Sequence, residues 1–180
     1  MTITNKMNQN KNLPLKMGLI YGASLGIVVI SIGIIRYKTG MILRDDQSLS
    51  YVYWVIFTVS IFFAVFKYKK LEPQSFSFNR TIQIGLYAGL ISGSMYTIYI
   101  VILNNYIDTE LASKIIQFNE HALHLNNPEM SQEEIAESSI VMKMSSALRG
   151  FIYTMVCMTF GVIHSIASTA LAKRLKYASQ

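Results

Sequence analysis

The chain has 180 residues, of which 52% are hydrophobic and only 14% charged, with a net charge of +6 and one cysteine. The charges leave four long windows empty, which excludes an ordinary soluble domain, and the basic residues sort by segment, which excludes nucleic acid as the reason for the excess. The lone Cys157 excludes an intrachain disulfide and reads as a small apolar packing residue.

Residues 1–14 are polar and rich in Asn and Lys, and read as a disordered arm ending at Pro14. The charge-free windows follow: Met17 to Ile35 (19 residues), Gln47 to Phe66 (20), Thr81 to Ile107 (27) and Gly150 to Ala172 (23). About 20 apolar residues, rising 1.5 Å each, cross a bilayer core, and a helix satisfies its own backbone there. The expected fold is an all-α membrane protein with four transmembrane helices, at about 15–36, 49–67, 81–106 and 149–173, in a single domain over 15–176. Ser31-Ile32-Gly33 resembles a small-x-small cleavage site. The run before it exceeds the roughly 7–15 residues of a signal core, however, and Arg36 and Lys38 close it, so the first helix reads as an uncleaved anchor.

Sidedness follows from the connections. The N-terminal arm, the link between helices two and three, and the C-terminal tail carry ten Lys and Arg against Glu72 alone. The other two connections carry six basic residues, among them Arg36, Arg44 and Arg149, against nine carboxylates. Lys and Arg are retained in the cytoplasm, so both termini are expected inside a bacterial inner membrane, with anionic lipid as the partner of the basic segments. Tyr37, Tyr51, Tyr53, Trp54 and Tyr106 would mark the outer interface, and Tyr68 and Tyr177 the inner one.

The long connection, 108–148, is expected to form an outer helical hairpin before helix four. Leu111, Ile115, Phe118, Ala122 and Leu125 fall within about 80° of a helical wheel. Asn126-Asn127-Pro128 breaks that helix, and Ser131 with Glu134 fits a capping box that starts another. No strong breaker lies between Gln132 and Ala172, apart from a bend at Gly150, so helix four is expected to start several turns outside the membrane. The stripe either packs on its neighbour or meets an outer-face protein partner.

Helices one and three are glycine-striped. Gly18, Gly22, Gly26 and Gly33 share one face of the first, and Gly85, Gly89 and Gly93 one face of the third. Small residues allow close backbone approach in lipid, where no hydrophobic force drives helices together, so these faces are expected at helix–helix contacts. Gly18–Gly22 and Gly85–Gly89 align at an offset of 67, which fits either a parallel two-helix repeat or coincidence.

Candidate chemistry is sparse. His164 is the only ionisable side chain within a window apart from tyrosines and Cys157, and reads as a hydrogen-bonded core histidine or as part of an ion path. Glu120, His121 and His124 are weak metal candidates: histidines at i and i+3 can face one ion, but specific sites want three or four ligands. There is no nucleophile–base pair, phosphate-binding glycine loop or cofactor motif, so neither an enzyme nor a cofactor is expected.

The lysine arm leading into "KMGLIYGASLG", the second helix ending "FKYKK", "IGLYAGLISG" and the long loop before the last helix together resemble a bacterial integral-membrane family, domain of unknown function 4199, found mainly in Bacteroidetes. The resemblance implies four spanning helices in the cytoplasmic membrane, and carries no established activity and no catalytic residues. The leading expectation is a non-enzymatic accessory or scaffold subunit, acting as a homo-oligomer or with a membrane-protein partner. The alternatives are a small oligomeric carrier, with a path near His164 and tyrosines such as Tyr87, Tyr96 and Tyr99, and an outer ligand or metal sensor.

Overall fold

The computed structural model describes residues 12–44, 46–131, 134 and 144–177. Among them the chain is all-helical and has no strand. It forms α1 (Leu13–Lys38), α2 (Ser48–Leu71), α3 (Phe78–Ile102), α4 (Leu111–Asn126) and α5 (Ser146–Tyr177), and α3 runs on into a π-helical turn over Leu103–Ile107. α1, α2, α5 and α3 with its extension are long and apolar enough to cross a membrane. The shortest α-helix of the four, α2, has 24 residues and rises about 36 Å, more than the roughly 30 Å of a hydrocarbon core.

Only 28–33% of each apolar window is buried within the protein. Ile20, Ile27, Val55, Phe63, Ile98 and Ile163 are exposed, while Thr81, Ser92, Ser165 and Thr169 are buried. An apolar outside around a partly polar inside is stable in lipid and not in water. The molecule is a multi-pass membrane protein.

Helix ends follow local chemistry. Pro14 sits in the first turn of α1, where no backbone N–H is needed. Arg36 and Lys38 end α1, and Lys69 and Lys70 end α2, where cations complement the helix dipole. Gly40 takes φ +70° in the α1–α2 turn, and Asp46 Oδ1 accepts the Ser48 N–H at 2.9 Å to start α2. α4 stops at Asn126, before Asn127 and Pro128. The Ser131–Glu134 box is formed: Glu134 Oε2 accepts the Ser131 N–H at 2.8 Å, and Ser131 Oγ accepts the Glu134 N–H at 3.3 Å.

α3 is the centre of the bundle, packed most extensively on α5 and α1. It runs parallel to α1, so Gly18 lies beside Ile84, Tyr87 and Ala88, Gly26 beside Met95, and Gly33 beside Tyr99. It runs antiparallel to α5, so Gly85 meets Gly161 and Ser165, Gly89 meets Cys157, and Gly93 meets Thr154. Two hydroxyl pairs, Thr169 to Thr81 at 2.7 Å and Thr97 with Thr154 at 3.0 Å, bridge α3 and α5 near the ends of this seam. Such bonds contribute about 0.6 kcal/mol each in membranes, so backbone proximity carries more of the packing. α2 closes the bundle, placing Tyr53, Phe57, Ile61 and Val65 against Leu25, Val29 and Ala88.

Three expectations change. The first helix begins at Leu13, so Pro14 is helical and buried; the rest of the expected arm, residues 1–11, lies outside the described residues. The fourth spanning helix does not run unbroken from Gln132: the chain bends at Met144 and α5 begins at Ser146, where Ser145 Oγ accepts the Leu148 N–H at 3.3 Å. The expected second helix of the hairpin falls largely outside the described residues. Gly150 makes no break in α5; it lies against Thr97 instead.

Candidate functional site

The end of the bundle next to α4 holds two adjoining cavities of about 210 and 340 Å³, which share Gly33, Arg36, Tyr96 and Tyr153 in their walls. Each helix contributes through its own spacing. Gly33 and Arg36 lie three residues apart near the end of α1, and the missing side chain at Gly33 makes room for the Tyr99 ring, which a Cβ would meet at 2.6 Å. Tyr96 and Tyr99 lie three apart on α3, and Arg149 and Tyr153 four apart on α5. Gln47, Ser50, Tyr53 and Trp54 line one face of the first turns of α2, and α4 adds Ile115.

The rings form a continuous wall. Tyr96 and Tyr153 have centroids 4.4 Å apart, Tyr96 and Tyr99 6.0 Å, and Trp54 and Tyr153 6.2 Å. Arg36 Nη1 donates to Ser50 Oγ at 3.3 Å, and Ser50 Oγ donates to Gln47 Oε1 at 3.1 Å. Nε of Arg36 and of Arg149, the hydroxyls of Tyr53 and Tyr99, and Oδ1 of Asn104 are buried with no hydrogen-bond partner among the described residues. Tyr53, expected to mark the membrane interface, is only 2% exposed and lines the cavity instead, because α1 and α3 enclose the face on which it lies.

Both cavities contain cationic walls and no carboxylate among the described residues. The nearby Asp108 is engaged elsewhere: its Oδ2 accepts the Tyr37 hydroxyl at 3.3 Å and its Oδ1 meets Lys114 at 3.4 Å. Lys114 also pairs with Glu110 at 3.2 Å, and the hydrogen bonds to Glu110 and Asp108 push its ammonium pKa up. An arginine cannot neutralise itself by losing a proton, so enclosed guanidiniums call for an anion. In the smaller cavity the two guanidinium forks and the Tyr99 hydroxyl suit a carboxylate or phosphate, while the Asn104 carbonyl accepts a hydrogen bond from an amine or hydroxyl; Tyr53 lines the larger one.

The sequence candidates lie mostly elsewhere. Of the glycines, Gly33 alone borders the cavities; Gly18, Gly22 and Gly26 face α3, and Gly85, Gly89 and Gly93 face α5. Tyr96 and Tyr99 line the site, but Tyr87 lies at the other end of α3, against Gly18. His121 and His124 are exposed on α4, and among the described residues no three His, Cys, Asp or Glu side chains are grouped to hold a metal.

His164 lies half-buried between α2 and α5. Its Nδ1 is 2.7 Å from the Phe160 carbonyl, which only accepts, so Nδ1 carries a proton. Its Nε2 is 3.1 Å from Thr58 Oγ1, and that hydroxyl is also 2.8 Å from the Trp54 carbonyl. Turned to Nε2 the Thr58 hydroxyl donates to the ring; turned to Trp54 it presents Nε2 with an oxygen that can accept. One hydroxyl rotation therefore offers Nε2 either a donor or an acceptor. Phe160 stacks on the ring at 5.6 Å and packs at a tilt against Trp54 at 4.7 Å, joining His164 to the cavity wall.

Sequence reasoning treated Arg36 and Arg149 as flanking loop charges and missed the site. The available signal was Arg149 and Tyr153 on one helix face, with Tyr96 and Tyr99 on another.

Four long apolar helices, α4 at one end of the bundle and an arginine–tyrosine cavity beside it define a small helical membrane protein with an enclosed polar site. The chain belongs to the family described as protein of unknown function DUF4199, whose model matches residues 16–174. No curated protein and no solved structure matches it.

Proposed function

We propose that this protein is a non-enzymatic membrane subunit that binds a small organic anion in the cavity between Arg36 and Arg149. The observation that carries the reading is the pair of guanidiniums in one tyrosine-walled enclosure where, among the described residues, buried donor atoms lack partners and the wall holds no carboxylate. Taken together, the two adjoining cavities suit a metabolite-sized ligand, since small-molecule pockets run from roughly 300 to 1,000 Å³. The charge distribution supports an orientation with the termini in the cytoplasm and the cavity on the outer face of a bacterial inner membrane.

An accessory role follows through α4. Its apolar stripe has Leu111 buried and Ile115 in the cavity wall, while Phe118 and Leu125 are 45% and 69% exposed. Ligand in the cavity thereby acts on the same stripe that presents apolar side chains to a membrane-protein partner or a second copy of the chain.

Calorimetry on the detergent-purified protein with small mono- and dicarboxylates and with inorganic phosphate tests the reading. Saturable binding is expected, weakened about 10- to 100-fold by Arg36→Gln or Arg149→Gln, as for loss of a charge-assisted hydrogen bond. Absence of binding by every anion, or affinities that both variants leave intact, would reject it.

A second reading, a proton-linked carrier, is favoured by one observation: the Thr58–His164 pair holds either protonation state and touches the cavity wall through Phe160 and Trp54. The metal-sensor reading needs Glu120 beside His121 and His124, and among the described residues these three are not grouped to hold a metal.

A further inference from the structure

The opposite end of the bundle carries a groove of about 1240 Å³, independent of the arginine cavity. Its wall combines Phe63, Phe66, Phe76 and Tyr21 with Lys67, Lys69, Lys70 and Lys173, and contains no Asp or Glu among the described residues. We propose that this groove binds one anionic phospholipid, with its phosphate at Lys67 and Lys70 and an acyl chain along Phe66, Phe63 and Ser60.

The spacing on α2 sets the geometry. Ser60, Phe63, Phe66, Lys67 and Lys70 recur at three- and four-residue steps, so they form one strip along the helix. The seven residues from Ser60 to Lys67 rise about 10 Å, which lies within the roughly 15 Å of hydrocarbon in one leaflet. Lys67 is the first charge after the apolar window, which puts the ammonium groups at headgroup level and the aromatic and Ser60 positions at chain level. Phe63 is 61% exposed, so the strip is open to lipid.

The charges differ in availability. Lys69 Nζ donates to the Ala172 carbonyl, and Lys173 Nζ lies 4.2 Å above the Phe78 ring. Those contacts fix two lysines as the far wall, while no ion pair holds Lys67 or Lys70 among the described residues. A basic pocket between helices at the interface is the arrangement that captures anionic headgroups. The volume exceeds the roughly 1,000 Å³ upper range of small-molecule pockets and much of the wall is apolar, which favours a chain-bearing lipid over a soluble anion.

Native mass spectrometry tests this on the full chain, released from detergent containing phosphatidylglycerol and phosphatidylcholine with matched acyl chains. Wild type should retain phosphatidylglycerol preferentially, and the Lys67→Gln/Lys70→Gln double variant should bind it about 30-fold more weakly. Lys67→Arg/Lys70→Arg should retain binding, and so should Lys16→Gln, which removes an exposed basic residue outside the groove. Equal retention of both lipids, an unaffected double Gln variant, or an equal loss in Lys16→Gln would overturn the site. Displacement of the lipid by glycerol phosphate, which has no acyl chains, would likewise overturn it in favour of a soluble anion.

Discussion

Gly85 and Gly161 face each other backbone to backbone across the α3–α5 seam, each with its carbonyl oxygen where a Cβ on the other would lie. The α1 glycines accommodate something different: Gly26 and Gly33 make room for the Met95 and Tyr99 side chains of α3. A two-fold repeat would have the two glycine rows face each other, or each face its own hairpin partner. Here α1 presents its row to α3, and α3 presents its row to α5. The aligned segments at Gly18 and Gly85 thus stand side by side with different neighbours.

That difference sets the cost of substitution. Gly161→Leu or Gly85→Leu forces a side chain into backbone that cannot move without separating two helices, so a loss of at least about 3 kcal/mol is expected, the upper end for overpacking. Gly26→Ala meets Met95 Sδ first, then its Cε at 2.9 Å and Cβ at 3.1 Å; the thioether end readily changes rotamer and the Cβ need give only slightly, so about 1 kcal/mol is expected. Reversible unfolding in mixed micelles measures both; equal losses would show that the backbone contact is not special.

The cavity tyrosines separate binding from folding. The hydroxyls of Tyr53 and Tyr99 are buried with no hydrogen-bond partner among the described residues, so each carries a desolvation cost in the unliganded protein. Tyr53→Phe and Tyr99→Phe should leave the unliganded melting temperature unchanged or raise it, while reducing the shift produced by a bound carboxylate or phosphate. A lowered melting temperature without ligand would mean that the hydroxyls are structural.

Sequence made the spanning helices legible because an uncharged window of about 20 residues has few other uses. The break at Asn126-Asn127-Pro128 and the Ser131–Glu134 box were legible for an equally local reason: the side chains act on their own backbone. The cavity was not legible. A guanidinium at a window's edge reads the same whether it snorkels to water or turns inward, and only the neighbouring helices decide which. The glycine spacing identified one face on each of two helices but not what that face meets. The answering row on α5, Gly150, Thr154, Cys157, Gly161 and Ser165, kept the same three- and four-residue steps with few glycines to mark it.

His164 distinguishes carrier from receptor. Its two hydrogen bonds lie between α2 and α5, and it is absent from the cavity lining. His164→Gln should therefore leave equilibrium anion binding unchanged and, if the protein is a carrier, abolish uptake by proteoliposomes under a pH gradient. Thr58→Val should reproduce that transport defect, since it removes the hydroxyl that serves both ring states. Full uptake in both variants would eliminate the proton path.

Asp46 links the first turn of α2, and with it one wall of the cavity, to pH. The Ser48 backbone N–H, followed by the Ser48 side chain, holds its carboxyl below the ordinary aspartate value of 3.8. A depressed folded-state pKa means that the carboxylate's contribution is fully present above the unfolded value and is lost as pH falls through the folded one. Between neutral pH and about 5 the start of α2 should keep its protection; below 3.8 the Ser48 and Ser50 amides should lose protection relative to the intrinsic exchange rate at the same pH. Asp46→Asn retains an oxygen acceptor and should show faster exchange only slightly, at any pH. Asp46→Ala should show it throughout and lose the acid dependence. Hydrogen exchange read by mass spectrometry over the peptide containing Gln47 to Ser50 measures this directly, and an acid response that persists in Asp46→Ala would assign it to another group.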